Sequence, residues 1–303
     1  MNPPPTQLYV IGNGFDLWHR VPSGFDQFKA YVGASDSRIE DDVERYLAAD
    51  ESWSDLEVAL ASLDVDGIID DMGQFMGSYG DDDWSDSGHH DFQFEVENVV
   101  SRLSSELVAR FSEWIRSLPI PTSTTPGIPR LRTLDPFGAY LNFNYTNTLT
   151  ELYAIPDERI LHIHGKASQP NTELILGHGW KPEKRRPLHR SEDEEHMDIR
   201  LIEAHGILDD YFSRTFKPSE RLIRENQSFF CQLGMVQQVH VLGHSLSDVD
   251  LPYLQALMSV PNVAAAHWCT TYYPEEKRNS MQRRLVELGV APERASTAPL
   301  SDY

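Results

Sequence analysis

The sequence predicts an α/β protein: a doubly wound, mainly parallel sheet with an inserted acidic helical lobe. Three observations predict it. Short apolar runs of strand length alternate with helical patterns through the second half of the chain. The first such run, Leu8 to Ile11, falls directly into Gly12-Asn13-Gly14. A long stretch of helical spacing, dense in Asp and Glu, separates that first run from the later alternation.

Leu8 to Ile11 is apolar throughout, as a parallel strand covered on both faces requires. Gly24 to Val32 reads as a helix with Phe25, Phe28 and Tyr31 toward one face. Ser37 to Leu47 and Ser54 to Leu63 read as further helices, with Ser54 as N-cap and Glu57 completing a capping box. Gly73 to His90 is rich in Gly and Asp and reads as a loop. Asp91 to Ser117 carries Phe94, Val99, Leu103, Leu107, Phe111 and Trp114 at helical spacing. Pro119 to Pro129, PIPTSTTPGIP, holds too many prolines for a helix or central strand and reads as a connector.

Beyond the connector, strands are expected at Tyr140 to Phe143, Ile160 to His164, Leu174 to Leu176, Val239 to Leu242 and Val263 to Trp268. Helices are expected at Thr146 to Tyr153, Ile199 to Leu233 with a break near Pro218, Asp248 to Met258 and Glu275 to Leu288. Gly177 to Asp198 reads as a polar loop. This divides the chain into an α/β core, 1–34 and 135–303, and a helical lobe, 35–134.

At 303 residues and 40% hydrophobic content, the chain can build one large core or a core with a lobe. No apolar run reaches the roughly 20 residues that span a bilayer, so no membrane association is expected. The opening MNPPPTQ has neither a basic segment nor an apolar one, and reads as no signal peptide. Cys231 and Cys269 are the two cysteines, which fits a reduced, cytoplasmic protein and excludes a four-cysteine zinc site. The formal net charge of -21 disfavours nucleic acid as a partner. Much of the acid lies between Asp36 and Glu97, where it reads as the solvated face of the lobe. A divalent-cation site in Asp81 to Asp86 is the sharper alternative, but the run lacks the glycine and terminal glutamate of a calcium loop.

In open parallel sheets, ligands bind beyond the carboxyl ends of the strands. Those ends carry Gly12, Asn13, Gly14 and Asp16; Asn144, Tyr145, Thr146 and Asn147; His164 and Gly165; Gly177, His178 and Gly179; and Gly243, His244, Ser245 and Asp248. Each group alone could be a turn or a cap. Their recurrence at every expected strand end points to one crevice. Glycines in the first turn allow backbone N–H groups to approach a phosphate. Leu17 stands where a third glycine would complete the dinucleotide pattern, so a tight turn without ligand explains Gly12 and Gly14 as well. His162 is the packed one and His164 the chemical candidate. His164, His178 and His244 could together hold a metal, but no metal-ligand spacing supports it and no metal is predicted. Asp248 is placed as a helix N-cap. Trp53 packs in the core, and Glu57, one turn on, is a candidate pocket acid.

The segments LYVIGNGFDLWHRVPSGFDQF, WSDLE, YLNFNYTNTLTELY, ILHIHGK, LILGHG and VLGHSLSDVDLPYL together resemble the bacteriophage abortive infection AbiH family. They follow the family's order across nearly the whole chain. That family in turn resembles the sirtuin-type NAD-binding fold, a Rossmann variant. Gly12-Asn13-Gly14 with Val21-Pro22 is similar to the sirtuin Gly-Ala-Gly turn and its later Ile-Pro. Asn144-Tyr145-Thr146 is similar to the Asn-Tyr-Asp segment that carries a catalytic asparagine, and His164-Gly165 to the His-Gly of the catalytic base. Gly243-His244-Ser245-Leu246 is similar to the Gly-Thr-Ser-Leu strand end that binds the adenosine ribose. Asn13 replaces the alanine, Thr146 the aspartate, and the zinc module's cysteines are absent.

The resemblance implies an antiphage effector that hydrolyses NAD to nicotinamide and ADP-ribose, not a protein deacetylase. Asn144 and His164 would be catalytic; Gly12, Asn13, Gly14, Asp16, Tyr145, Gly165, Gly243, His244 and Ser245 would bind the nucleotide. NAD is thus expected as substrate or as ligand, the second case being a nucleotide-sensing module without turnover. A nuclease is disfavoured, because no paired metal-binding carboxylates stand at the strand ends. A phage-derived trigger and self-association are the partner classes left open. The loop from Lys181 to Glu195 runs from basic to acidic. It reads as a self-pairing surface loop, or alternatively as a lid or a docking site for a phage component.

Overall fold

The computed structural model describes residues 3–76, 90–188 and 198–303. The Asp81 to Asp86 cation site and the acidic half of the charged loop fall outside the described residues.

A six-stranded, wholly parallel sheet forms the centre. Its strands are β1 (Gln7–Ile11), β2 (Ala139–Asn142), β3 (Ile160–His162), β4 (Gln238–Leu242), β5 (His267–Tyr272) and β6 (Ala295–Pro299). They stand in the order β3-β2-β1-β4-β5-β6. The chain winds outward from β1 to β3, then returns to the other side of β1 and winds outward again. Strand order therefore reverses between β1 and β4, where Ile11 lies opposite Leu242, and such a reversal opens a crevice at the carboxyl ends. This is the doubly wound fold the sequence predicts.

Both faces of the sheet are covered. Leu8 and Val10 enter one apolar cluster with Trp268, Tyr253 and Leu285; Tyr9 and Ile11 enter another with Phe15, Tyr140 and Leu149. Side chains alternate between faces along a strand. Burial on both sides is why Leu8 to Ile11 contains no polar residue.

The chain divides into two compact units: Met1–Gly24, Trp114–Ile175 and Pro218–Tyr303 form the first, which carries the sheet; Phe25–Glu113 and Leu176–Lys217 form the second. The second is built of helices. Within it the helix Asp91–Ser101 packs on Ile199–Arg214, where Gln93 Nε2 donates to Glu203 Oε2 at 2.8 Å. Leu176–Lys217, which the sequence reading kept with the sheet, groups with these helices.

Several local expectations are corrected. Leu174 to Leu176 is not a strand. Leu174 and Leu176 are buried, but the segment joins no ladder of the sheet, so its apolar character reflects packing alone. Val263 to Trp268 divides into the helix Pro261–Ala264 and the start of β5. β6, with the sequence ASTAP, was not expected; it lies at the edge, where a proline is tolerated. The capping box at Ser54 does not form. The helix there is Leu56–Ala59, and the N–H and hydroxyl groups of Ser52 and Ser54 donate to Asp50 instead. Phe94 is 63% exposed; Phe92 and Val96 carry the buried face.

Candidate functional site

The turns after β1 and β4 meet backbone to backbone. Gly12 N–H donates to the Leu242 carbonyl at 3.0 Å and Gly14 N–H to the Gly243 carbonyl at 2.8 Å. Phe15 N–H donates to the Gly12 carbonyl at 2.9 Å. A Cβ on Gly12 would stand 2.5 Å from His244 Cα, and one on Gly14 2.9 Å from Gly243 Cα. Gly243 has φ +64°, and a Cβ there would strike the backbone of Gly14 and Phe15. Close approach thus requires the three glycines, and the N–H groups of Gly12, Gly14, Phe15 and Gly243 are engaged inside the protein. The Asn13 side chain is engaged too: Nδ2 donates to the Ser23 carbonyl at 2.9 Å and Oδ1 accepts from the Ser23 hydroxyl at 2.6 Å. That pair fixes Val21-Pro22-Ser23 behind the turn.

Beyond β2 the chain presents Asn144. Its N–H donates to Asn142 Oδ1 at 3.0 Å, and its Nδ2 donates to the Gly12 carbonyl at 3.1 Å. The amide is therefore fixed with Nδ2 toward the β1 turn and Oδ1 as its acceptor. Asp16 lies beside it, 1% exposed. Thr146 Oγ1 donates to Asp16 Oδ2 at 2.5 Å, and Thr148 and Asn144 also approach the carboxyl. Oδ1 is buried with no hydrogen-bond partner among the described residues. Burial pushes the Asp16 pKa up to about 6, against the opposing pull of Thr146, Thr148 and Asn144.

Beyond β3 and β4 stand two buried imidazoles with a shared carboxylate. His164 Nε2 is 4.0 Å from Asp250 Oδ1, and His244 Nε2 is 3.3 Å from Asp250 Oδ2. Leu246 N–H donates to His244 Nδ1 at 2.9 Å, so the neutral ring carries its proton on Nε2, toward Asp250. Aromatic rings enclose the group. Phe143 sits 5.4 Å from His164 and 4.4 Å from His244, and Tyr253 5.3 Å from His164, between ring centroids. Tyr145 flanks His164 while its hydroxyl donates to the Ile175 carbonyl at 2.6 Å. Gly165, at φ +97°, turns the chain away behind His164.

A cavity of about 930 Å³ opens at the reversal of strand order. Gly14, Gly243, His244 and Ser245 line it together with Lys277 and Arg284, the arginine also pairing with Asp248 and Glu287. This volume is in the range of small-molecule sites. Asn144 and His164 are not among its lining residues; His244 belongs to both the cavity wall and the buried group.

The remaining candidates resolve differently. His162 has Nδ1 3.1 Å from the Asn144 carbonyl, and burial lowers its pKa to about 4, as befits a packed residue. His178, in the second unit, accepts from Trp180 N–H at Nδ1 and faces the Phe212 carbonyl with Nε2 at 3.1 Å. Both ring nitrogens serve the local fold. Among the described residues no group of three or more His, Cys, Asp or Glu side chains could hold a metal ion. Asp248 is not an N-cap; it is exposed and pairs with Arg284 at 2.5 Å. Glu57, read as a pocket acid, holds the fully buried Lys217 at 2.6 Å. Sequence reasoning missed two buried side chains. Asp250 follows the expected Asp248 by two positions, and nothing in SLSDVD distinguishes them. His19 bonds Phe15 and Tyr153, and burial lowers its pKa to about 4.

A doubly wound parallel sheet with a ligand-sized crevice at its switch point defines an α/β protein of the Rossmann type. The model of the family described as bacteriophage abortive infection AbiH matches residues 8–272, and the chain belongs to that family. Its setting is therefore abortive infection, a defence against bacteriophage. No curated protein and no solved structure matches the chain. No helix among the described residues is long and apolar enough to cross a membrane.

Proposed function

We propose that the protein is an abortive-infection effector that hydrolyses NAD to nicotinamide and ADP-ribose. The observation that carries this reading is the buried pair His164 and His244 on Asp250, beside the crevice that His244 lines, with Asn144 buried against the β1 turn whose Gly14 lines the same crevice.

The bond between nicotinamide and ribose breaks heterolytically. Its electron pair goes to the pyridinium nitrogen, so the leaving group departs neutral and needs no acid. Water then adds to the oxocarbenium carbon and gives up its proton. Asn144 Oδ1 accepts a hydrogen bond from that water or from a ribose hydroxyl, and His164 takes the proton. The apolar rings of Phe143 and Tyr253 keep bulk water away. Ser245 and the crevice hold the ADP portion. Because the N–H groups of Gly12 and Gly14 are engaged, Lys277 and Arg284 meet the phosphate charge.

One observation favours a second reading, nucleotide sensing without turnover: Asn144 and His164 are buried and do not line the crevice. Cells carrying wild type, Asn144→Ala or His164→Ala, challenged with phage, separate the two. Hydrolysis predicts NAD loss and accumulation of ADP-ribose with wild type alone, in step with protection. Protection with NAD intact would overturn it and leave sensing.

A further inference from the structure

We infer that Asp250 is the positioning residue for His164, holding it and His244 on one carboxylate. The inference rests on the proposed role of His164 as base. Asp250 stands at the junction of the turn Asp248–Asp250 and the helix Leu251–Met258, at the helix N-cap. An aspartate there ordinarily accepts from the helix's first N–H groups. Asp250 makes no such cap bond. Its carboxylate, 7% exposed, turns instead to the two imidazoles and to Ser247, whose hydroxyl donates to Oδ2 at 3.3 Å. A buried carboxylate that gives up a cap and faces two buried histidines is placed for their sake.

The arrangement is braced from outside. Leu246, buried and not glycine, adopts φ +55°, a conformation that persists only where surroundings impose it. Its N–H holds His244 Nδ1, and its carbonyl accepts from Arg284 Nη2 at 2.9 Å and Nε at 3.3 Å. The His244 proton is thereby kept on Nε2, donated toward Asp250 Oδ2, and Oδ1 remains turned to His164. Among the described residues, the titratable groups facing His164 include Asp250 and Tyr253 from the segment after β4, and Tyr145 from the segment after β2. His244 and His164 face Asp250. At 4.0 Å the carboxylate acts on the His164 ring through its charge, favouring the protonated form, which suits a group that must accept a proton.

The test uses the full chain labelled with ¹⁵N-histidine, as wild type, Asp250→Asn and His244→Gln. Imidazole titrations are followed by NMR, and nicotinamide release from NAD is followed against pH. In Asp250→Asn the His164 midpoint falls by about one pH unit, and turnover falls about 10- to 100-fold, the scale seen when a group supporting a ligand or base is removed. The acid limb of the rate profile moves to lower pH in step. His244→Gln, which leaves the carboxylate to His164, raises the His164 midpoint and serves if Asp250→Asn does not fold. His164 midpoints that are the same in wild type and both variants overturn the inference. Shifted midpoints in a protein that releases no nicotinamide overturn the hydrolase reading and leave the pairing standing.

Discussion

Gly14 N–H donates to the Gly243 carbonyl at 2.8 Å, so the turn that ends β1 is joined to the turn that ends β4. The glycines that suggest a phosphate cradle are required by this contact whether or not a nucleotide binds. Gly243→Ala must leave a left-handed backbone and strike the Gly14–Phe15 backbone. It should destabilise the protein by about 2–4 kcal/mol in urea unfolding. Gly206 is the control: it lies inside the helix Ile199–Arg214 with nothing within 4 Å of an added Cβ. Gly206→Ala should gain about 0.5–1 kcal/mol.

Asp16 makes stability depend on pH. Its folded pKa, about 6, lies above the ordinary carboxylate value of 3.8. Between those values the folded state binds more protons than the unfolded one, so stability falls as pH rises through the window. Above pH 6 the ionised group costs about 3 kcal/mol by linkage. Asp16→Asn should therefore be more stable than wild type at pH 7.5 and lose that advantage near pH 4, by urea midpoints at both values. The same substitution should lower activity, because Asp16 supports the Asn144 amide.

The Lys217–Glu57 pair predicts an asymmetry. The lysine side chain is fully buried and the glutamate 22% exposed. Glu57→Gln takes one carboxylate from a buried cation and should cost about 1–3 kcal/mol. Lys217→Met leaves a carboxylate that reaches solvent and should cost less. In the double variant, the two losses should not add, which a double-mutant cycle in thermal or urea unfolding reads directly.

The sequence made the fold legible where burial was symmetrical. β1, β2 and β4 announce themselves because a strand covered on both faces admits few polar residues. β6 did not, since an edge strand needs no such purity and carries Ser296, Thr297 and Pro299. Leu174 to Leu176 misled for the converse reason: an apolar segment buried without a ladder reads like a strand. Asn144, His164 and His244 were legible as candidates because each stands at a strand end; His164 and His244 face one carboxylate, and Asn144 bonds the β1 turn. Asp250 was not. A left-handed residue at Leu246 and a tight turn bring it back to the histidines, and neither leaves a mark in the sequence.

The proposed cleavage of NAD by the buried group is read most directly as nicotinamide release by purified protein. Wild type, Asn144→Ala and His164→Ala are incubated with NAD, with and without lysate from phage-infected cells, and the products are separated by chromatography. Hydrolysis yields nicotinamide and ADP-ribose in equal amounts from wild type, with a loss of at least about 100-fold in either variant. Intact NAD with wild type under both conditions, or equal release by wild type and both variants, would contradict it.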